Sequence, residues 1–96
     1  MAVALAKKVG TSVRRDIANG TEYTAVKYHQ TEIVIFSDKG ILLDTGGWET
    51  ATTKRRMNQV SDIYGLGFHV YTKGGILMVD FKGESKLFSD AMVLTR

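Results

Sequence analysis

Residues 45–56 read Thr45-Gly46-Gly47-Trp48-Glu49-Thr50-Ala51-Thr52-Thr53-Lys54-Arg55-Arg56, with two glycines, one tryptophan, four threonines and three consecutive cations. The chemistry such a stretch suits is anion binding. A helix beginning here presents N–H groups without intrahelical acceptors at the positive end of its macrodipole, and both attract phosphate. Thr50, Thr52 and Thr53 add hydroxyl donors, Gly46 and Gly47 let a ligand approach the backbone closely, and Lys54, Arg55 and Arg56 bring full charges. Three consecutive helical residues spread over about 200° of arc, so two of the three cations can serve one phosphate. Cations at a helix start oppose the macrodipole at a cost of ~0.3–1 kcal/mol each, which a bound anion would offset. Trp48 reads either as a core residue or as a stacking platform for a base, and Tyr28 is an aromatic that can join it. The same stretch also reads without a ligand: threonines capping a helix, Gly-Gly as a loop, and Lys-Arg-Arg as a solvated face.

Catalytic and metal chemistry finds less support. The chain has two histidines, His29 and His69, both expected in strands, and no cysteine. It therefore has no disulfide, no thiolate zinc ligand and no cysteine nucleophile. His29 and Glu32 stand three positions apart, an odd spacing that on a regular strand sends them to opposite faces. There is no HExxH, EF-hand or GxSxG pattern, and Gly65-Leu66-Gly67 lacks the later glycine and following helix of a dinucleotide loop. A hydrolase built on His29 and a distant aspartate is the weakest reading. The residues point to a non-enzymatic binder without cofactor or metal.

The elements that must position these residues follow from periodicity. In residues 1–20, Leu5, Val9, Val13 and Ile17 recur every fourth position, a helical stripe interrupted by Gly10-Thr11 and closed by Asn19-Gly20. This predicts a short helix around 12–18 within a basic leader, residues 1–20. Residues 21–96 form a single α+β domain. Alternation over 22–28, the apolar run 32–36 and a short strand at 41–44 make an antiparallel meander, because the connections are too short for parallel crossovers. Residues 50–64 are the main helix, with Met57, Val60, Ile63 and Tyr64 buried, Thr50 or Thr52 as N-cap and Gly65 as its stop. Strands at 68–72 and 76–81 flank Gly74-Gly75 as a hairpin, and a final strand covers 85–88. One antiparallel layer of six strands carrying one helix leaves a bare face and open edges, which invite a second copy of the chain.

The chain has 96 residues, 13 Lys+Arg against 10 Asp+Glu, and a net charge of +3. That length holds one core, and that charge allows attraction to phosphate without demanding it. Lys7-Lys8 and Arg14-Arg15 read as a basic arm against nucleic acid or as an aid to solubility. The apolar start at residues 1–6 is too short for a secretory signal, and its cations follow it instead of preceding it. No stretch approaches the roughly 20 apolar residues of a membrane span, so a soluble, unexported protein is expected.

Three groups of residues resemble a family of small proteins from bacteriophage genomes: Tyr28-His29-Gln30-Thr31-Glu32-Ile33-Val34, Leu43-Asp44-Thr45-Gly46-Gly47-Trp48, and Thr50, Thr52-Thr53-Lys54 with Arg56-Met57-Asn58-Gln59. The resemblance continues through Gly65-Leu66-Gly67-Phe68-His69-Val70-Tyr71 and Phe88-Ser89-Asp90-Ala91-Met92, where the family pattern has glycine at Ala91. It spans residues 22–96, and its most specific part is a G-G-W-x-T-x-T-T-K-x-R-M-N core. It implies a phage origin and a host-cytoplasm setting, and it brings no activity or catalytic residue with it. The leading expectation is a phage accessory protein that binds nucleic acid through the basic helix start. The expected site is Gly46, Gly47, Trp48, Thr50, Thr52, Thr53, Lys54, Arg55, Arg56 and Tyr28. A small nucleotide or other phosphorylated ligand is the first alternative, favoured by a deep pocket beside Gly46-Gly47. A module docking on a host or virion protein is the second, favoured by an exposed face bearing Ile76, Met78 or Phe81.

Overall fold

The structure, a computed structural model, describes residues 10–96. Eight strands and one helix follow in order: β1 Thr11–Ala18, β2 Thr21–Tyr28, β3 Thr31–Phe36, β4 Gly40–Leu43, α1 Ala51–Tyr64, β5 Phe68–Lys73, β6 Ile76–Phe81, β7 Glu84–Leu87 and β8 Met92–Thr95. They form a five-stranded sheet ordered β1-β2-β3-β4-β8 and a three-stranded sheet ordered β5-β6-β7, antiparallel throughout. The fold class is α+β.

Two expectations need correction. The segment expected as a helix over 12–18 is strand β1, paired with β2 along its whole length. Hydrophobic residues every fourth position also lie on one face of a strand, since four is a multiple of the strand period. Asn19 (φ 51) and Gly20 (φ 77) close a tight two-residue hairpin, the turn that Asn-Gly favours between strands. The expected single layer of six strands is instead two sheets, and β8 was not foreseen. Because α1 leads the chain away after β4, the free edge of β4 is taken by Met92–Thr95.

One core serves all three layers. Val26, Val34, Ile41, Leu43 and Leu94 of the large sheet meet Met57 and Val60 of α1, and Phe68, Val70, Val79 and Phe81 of the small sheet. A bulge between Val26 and Lys27 shifts the β2–β3 register, and the consecutive Ile33 and Val34 are both buried beside it. Phe81, offered as an exposed docking residue, is buried, whereas Ile76 is exposed and Met78 half-buried.

The outer edge of β5 is covered by helix side chains instead of a strand. Asn58 accepts from the Val70 N–H (2.7 Å) and donates to the Val70 carbonyl (2.9 Å). Ser61 accepts from the Phe68 N–H (3.0 Å) and donates to the Phe68 carbonyl (2.7 Å). Residues three apart lie on one helix face, and alternate strand residues point their backbone groups the same way, so the two pairs match in spacing. Ser61→Ala is expected to lower stability by about 1–3 kcal/mol, because it leaves buried Phe68 groups without partners. Denaturant unfolding measures this.

Ala91 sits at φ 64, a left-handed conformation that costs a residue bearing a Cβ roughly 1–2 kcal/mol. It is the position at which the resemblance pattern has glycine. Ala91→Gly should therefore raise stability by up to about 1 kcal/mol, after glycine's larger unfolded-state entropy is set against the relief, and thermal melts should show it as a higher midpoint.

Candidate ligand cleft at the helix start

Residues 44–50 link β4 to α1 through a dense set of local bonds. Asp44 accepts from the Gly46 N–H (2.7 Å). Thr45 is buried, donates its N–H and hydroxyl to Asp90 (2.8 and 2.7 Å), and accepts from the Gly47 N–H (3.2 Å). Gly46 lies so close to Thr31 that a Cβ there would collide with the threonine hydroxyl. The Trp48 N–H donates to the Thr45 carbonyl (3.1 Å) and the Thr50 N–H to the Trp48 carbonyl (2.9 Å). The Trp48 backbone is thus held, while its side chain stands out at 67% exposure. Trp48 is therefore not a core residue.

Thr50 is the N-cap of α1. Its backbone is extended (φ −98, ψ 162) and its hydroxyl accepts from the Thr53 N–H at 3.2 Å. No acidic residue occupies the first turn, so the positive end of the helix is not neutralised from within it. Beside this helix start lies a cleft of about 470 Å³. Tyr28, His29 and Trp48 give it aromatic walls, Thr31, Thr45, Thr50, Thr52 and Thr53 line it with hydroxyl-bearing residues, and Ile33 is its apolar contribution. The helix start is therefore beside a concave surface, bounded opposite by the β2–β3 turn.

The three cations do not converge on it. Lys54 Nζ donates to the Thr72 hydroxyl on β5 (2.6 Å). Arg55 is exposed. The Arg56 guanidinium lies 5.3 Å from the centre of the Tyr28 ring and donates to Gln59 (2.7 Å). Arg56 thus acts on the cleft through Tyr28, bracing the ring in a cation–π contact.

The other expected basic residues lie elsewhere. Arg14 forms a two-point ion pair with Glu32 (2.6 and 3.1 Å) and donates to the Tyr23 hydroxyl (2.9 Å). Arg15 borders a wider depression with Lys39 and Arg96, interspersed with Asp16, Glu22 and Asp38. Lys7 and Lys8 lie outside the described residues.

Of the expected site residues, Tyr28, Trp48, Thr50, Thr52 and Thr53 line the cleft, whereas Gly46 and Gly47 belong to the adjoining loop and do not line it. Sequence reasoning missed His29, Gln30, Thr31 and Thr45 as cleft residues, and Asp90 as the acceptor that holds Thr45. His29, expected in a strand, is instead the first residue of the β2–β3 turn (φ 56). Its ring centre is 4.2 Å from that of Tyr28. Among the described residues, no group of three or more His, Asp or Glu side chains is placed to hold a metal ion. No described helix is long and apolar enough to cross a membrane.

The described residues define a small β-rich α+β domain in which one helix packs on two antiparallel sheets. The chain matches the Kyanoviridae Gp96 protein family over residues 4–95. It belongs to that phage protein family, as the resemblance implied in coarser terms. No curated protein and no solved structure matches it.

Hydrogen bonds from Arg14 hold the Glu32 carboxyl below its ordinary value of 4.5. A folded-state value below the unfolded one gives stability that is present above the unfolded pKa and lost as pH falls through the folded pKa. Glu32→Gln should accordingly melt below the wild type at neutral pH, with the gap closing below pH ~4. Thermal melts across that range check it.

Proposed function

We propose that this protein is a non-enzymatic binder of a phosphate-bearing nucleotide unit, held in the cleft at the start of α1. One observation carries the reading: an α-helix whose first turn holds no acidic residue, Glu49 lying just before its cap, starts beside a concave site that also exposes the chain's only tryptophan. The phosphate would take the Ala51 and Thr52 N–H groups, the Thr53 N–H being held by the cap, together with the Thr52 hydroxyl, the interaction that helix starts offer anions generally. The base would stack on Trp48, with Tyr28 as the facing aromatic braced by Arg56. Base–aromatic stacking is worth about 1–3 kcal/mol, whichever base is presented.

A free nucleotide suits this site better than a long duplex. The cations fan out toward β5, solvent and β2 instead of forming one basic track, whereas duplex binding gains most of its affinity from such tracks. A single strand threading one unit into the cleft is the second reading, favoured by the exposure of Trp48 beyond the cleft walls.

Trp48 fluorescence reports binding directly, since no other tryptophan contributes. Titration with nucleoside monophosphates and triphosphates should give saturable quenching that weakens with salt, and the corresponding nucleosides should bind at least several-fold more weakly. By calorimetry, Trp48→Ala should weaken nucleotide binding by about tenfold, within the range of one lost stacking contact. A short single-stranded oligonucleotide binding far more tightly than any nucleotide would favour the second reading. Absence of saturable binding by nucleotides and oligonucleotides alike would overturn both.

A further inference from the structure

The geometry points to a second copy of this chain as the partner of strand β7, joined edge to edge across a two-fold axis centred on Ser85. In the small sheet, α1 covers the β5 edge through Asn58 and Ser61, and β7 is the opposite edge, paired by no further strand among the described residues. All four of its residues are exposed. The Phe88 N–H donates to the Leu77 carbonyl (3.0 Å), continuing the β6–β7 register. In an antiparallel ladder alternate residues point their backbone groups to the same side, so Glu84 and Lys86 bond toward β6 while Ser85 and Leu87 direct theirs outward.

An antiparallel copy centred on Ser85 pairs Ser85 with its twin through two N–H···O=C bonds. The same register sets Glu84 opposite the partner's Lys86 and Lys86 opposite the partner's Glu84, giving two opposite-charge cross-strand pairs and no like-charge pair. Within one chain these two side chains already share a face, 3.8 Å apart, so each can be shared with its opposite number across the axis. Leu87, 66% exposed, falls opposite the partner's Gly83, beside which the space is open. The row Tyr71–Met78–Leu87, set by the strand registers, would then meet the partner's surface instead of ending in water.

The long free edge β1 lacks this self-complementarity. Centring it on Arg15 sets Arg14 against the partner's Asp16 but puts Arg15 against its own copy. No cleft-lining residue belongs to β5, β6 or β7, so the pairing leaves the nucleotide site open and stands independently of it.

The test is sedimentation velocity on the full chain over a wide range of protein concentration. The wild type should show a monomer–dimer equilibrium. Glu84→Lys and Lys86→Glu should each sediment as monomers, since each sets like charges opposite one another twice. An equimolar mixture of these two variants should regain the dimer: one chain then carries cations at both positions and its partner anions at both, so opposite charges face each other again. The double exchange within one chain should dimerise as the wild type does. Ser85→Pro, which removes an outward N–H and the hydroxyl's bond to Asp80 but no backbone bond to β6, should be monomeric. Ser85→Ala, which loses the hydroxyl alone, should dimerise as the wild type does, with circular dichroism verifying that each variant is folded. A wild type that stays monomeric throughout, single reversals that dimerise as well as wild type, or a mixture that fails to regain the dimer would each overturn the proposal.

Discussion

The backbone edge of β5 that faces α1 instead of a neighbouring strand is the constraint on which the rest of the molecule turns. Its polar groups are buried against the helix, where each must find a partner or cost free energy. Asn58 and Ser61 supply those partners at two positions three residues apart. That double attachment sets both the position of α1 and its rotation about its own axis. With the rotation set, Thr53, Met57 and Val60 face the core, and the first turn comes to rest beside the β2–β3 turn. The cleft at the helix start is thus a consequence of how the helix closes the small sheet.

The same rotation explains why the cationic triplet does not form a phosphate clamp. Consecutive helical residues diverge by about 100° each, so Lys54, Arg55 and Arg56 are sent toward three different surroundings. Lys54 meets the β5 side at Thr72, Arg55 meets water, and Arg56 meets the ring of Tyr28. What remains at the helix start is weaker and more directional: N–H groups, threonine hydroxyls and two aromatic faces. On the proposed reading, such a site would select by shape and stacking more than by charge.

Local features were legible in the sequence because local physics produces them. Alternation marked β2 and β5, the apolar run marked β3, and Thr50 and Gly65 bounded the helix. Gly46 and Gly47 announced a tight loop beside it. The strand β1 was not legible, since a four-residue repeat fits both a helix stripe and a strand face. Strand β8 was missed because Met92–Thr95 is short, and its place beside β4 depends on where α1 carries the chain. The remaining cleft residues were hidden by distance: Asp90 reaches Thr45 across 45 positions, a contact that no pattern within either segment contains. The direction of each cation was hidden likewise, because Thr72 and Tyr28 belong to other strands.

Backbone amide chemical shifts, followed by NMR as a nucleoside monophosphate is added, distinguish a ligand held at the start of α1 from one bound elsewhere. The account predicts that the largest changes fall on Ala51, Thr52 and Thr53, with accompanying shifts at residues 28–31 and 45–48 and in the Trp48 indole. Changes concentrated instead around Arg15, Lys39 and Arg96, with the start of α1 unaffected, would contradict it.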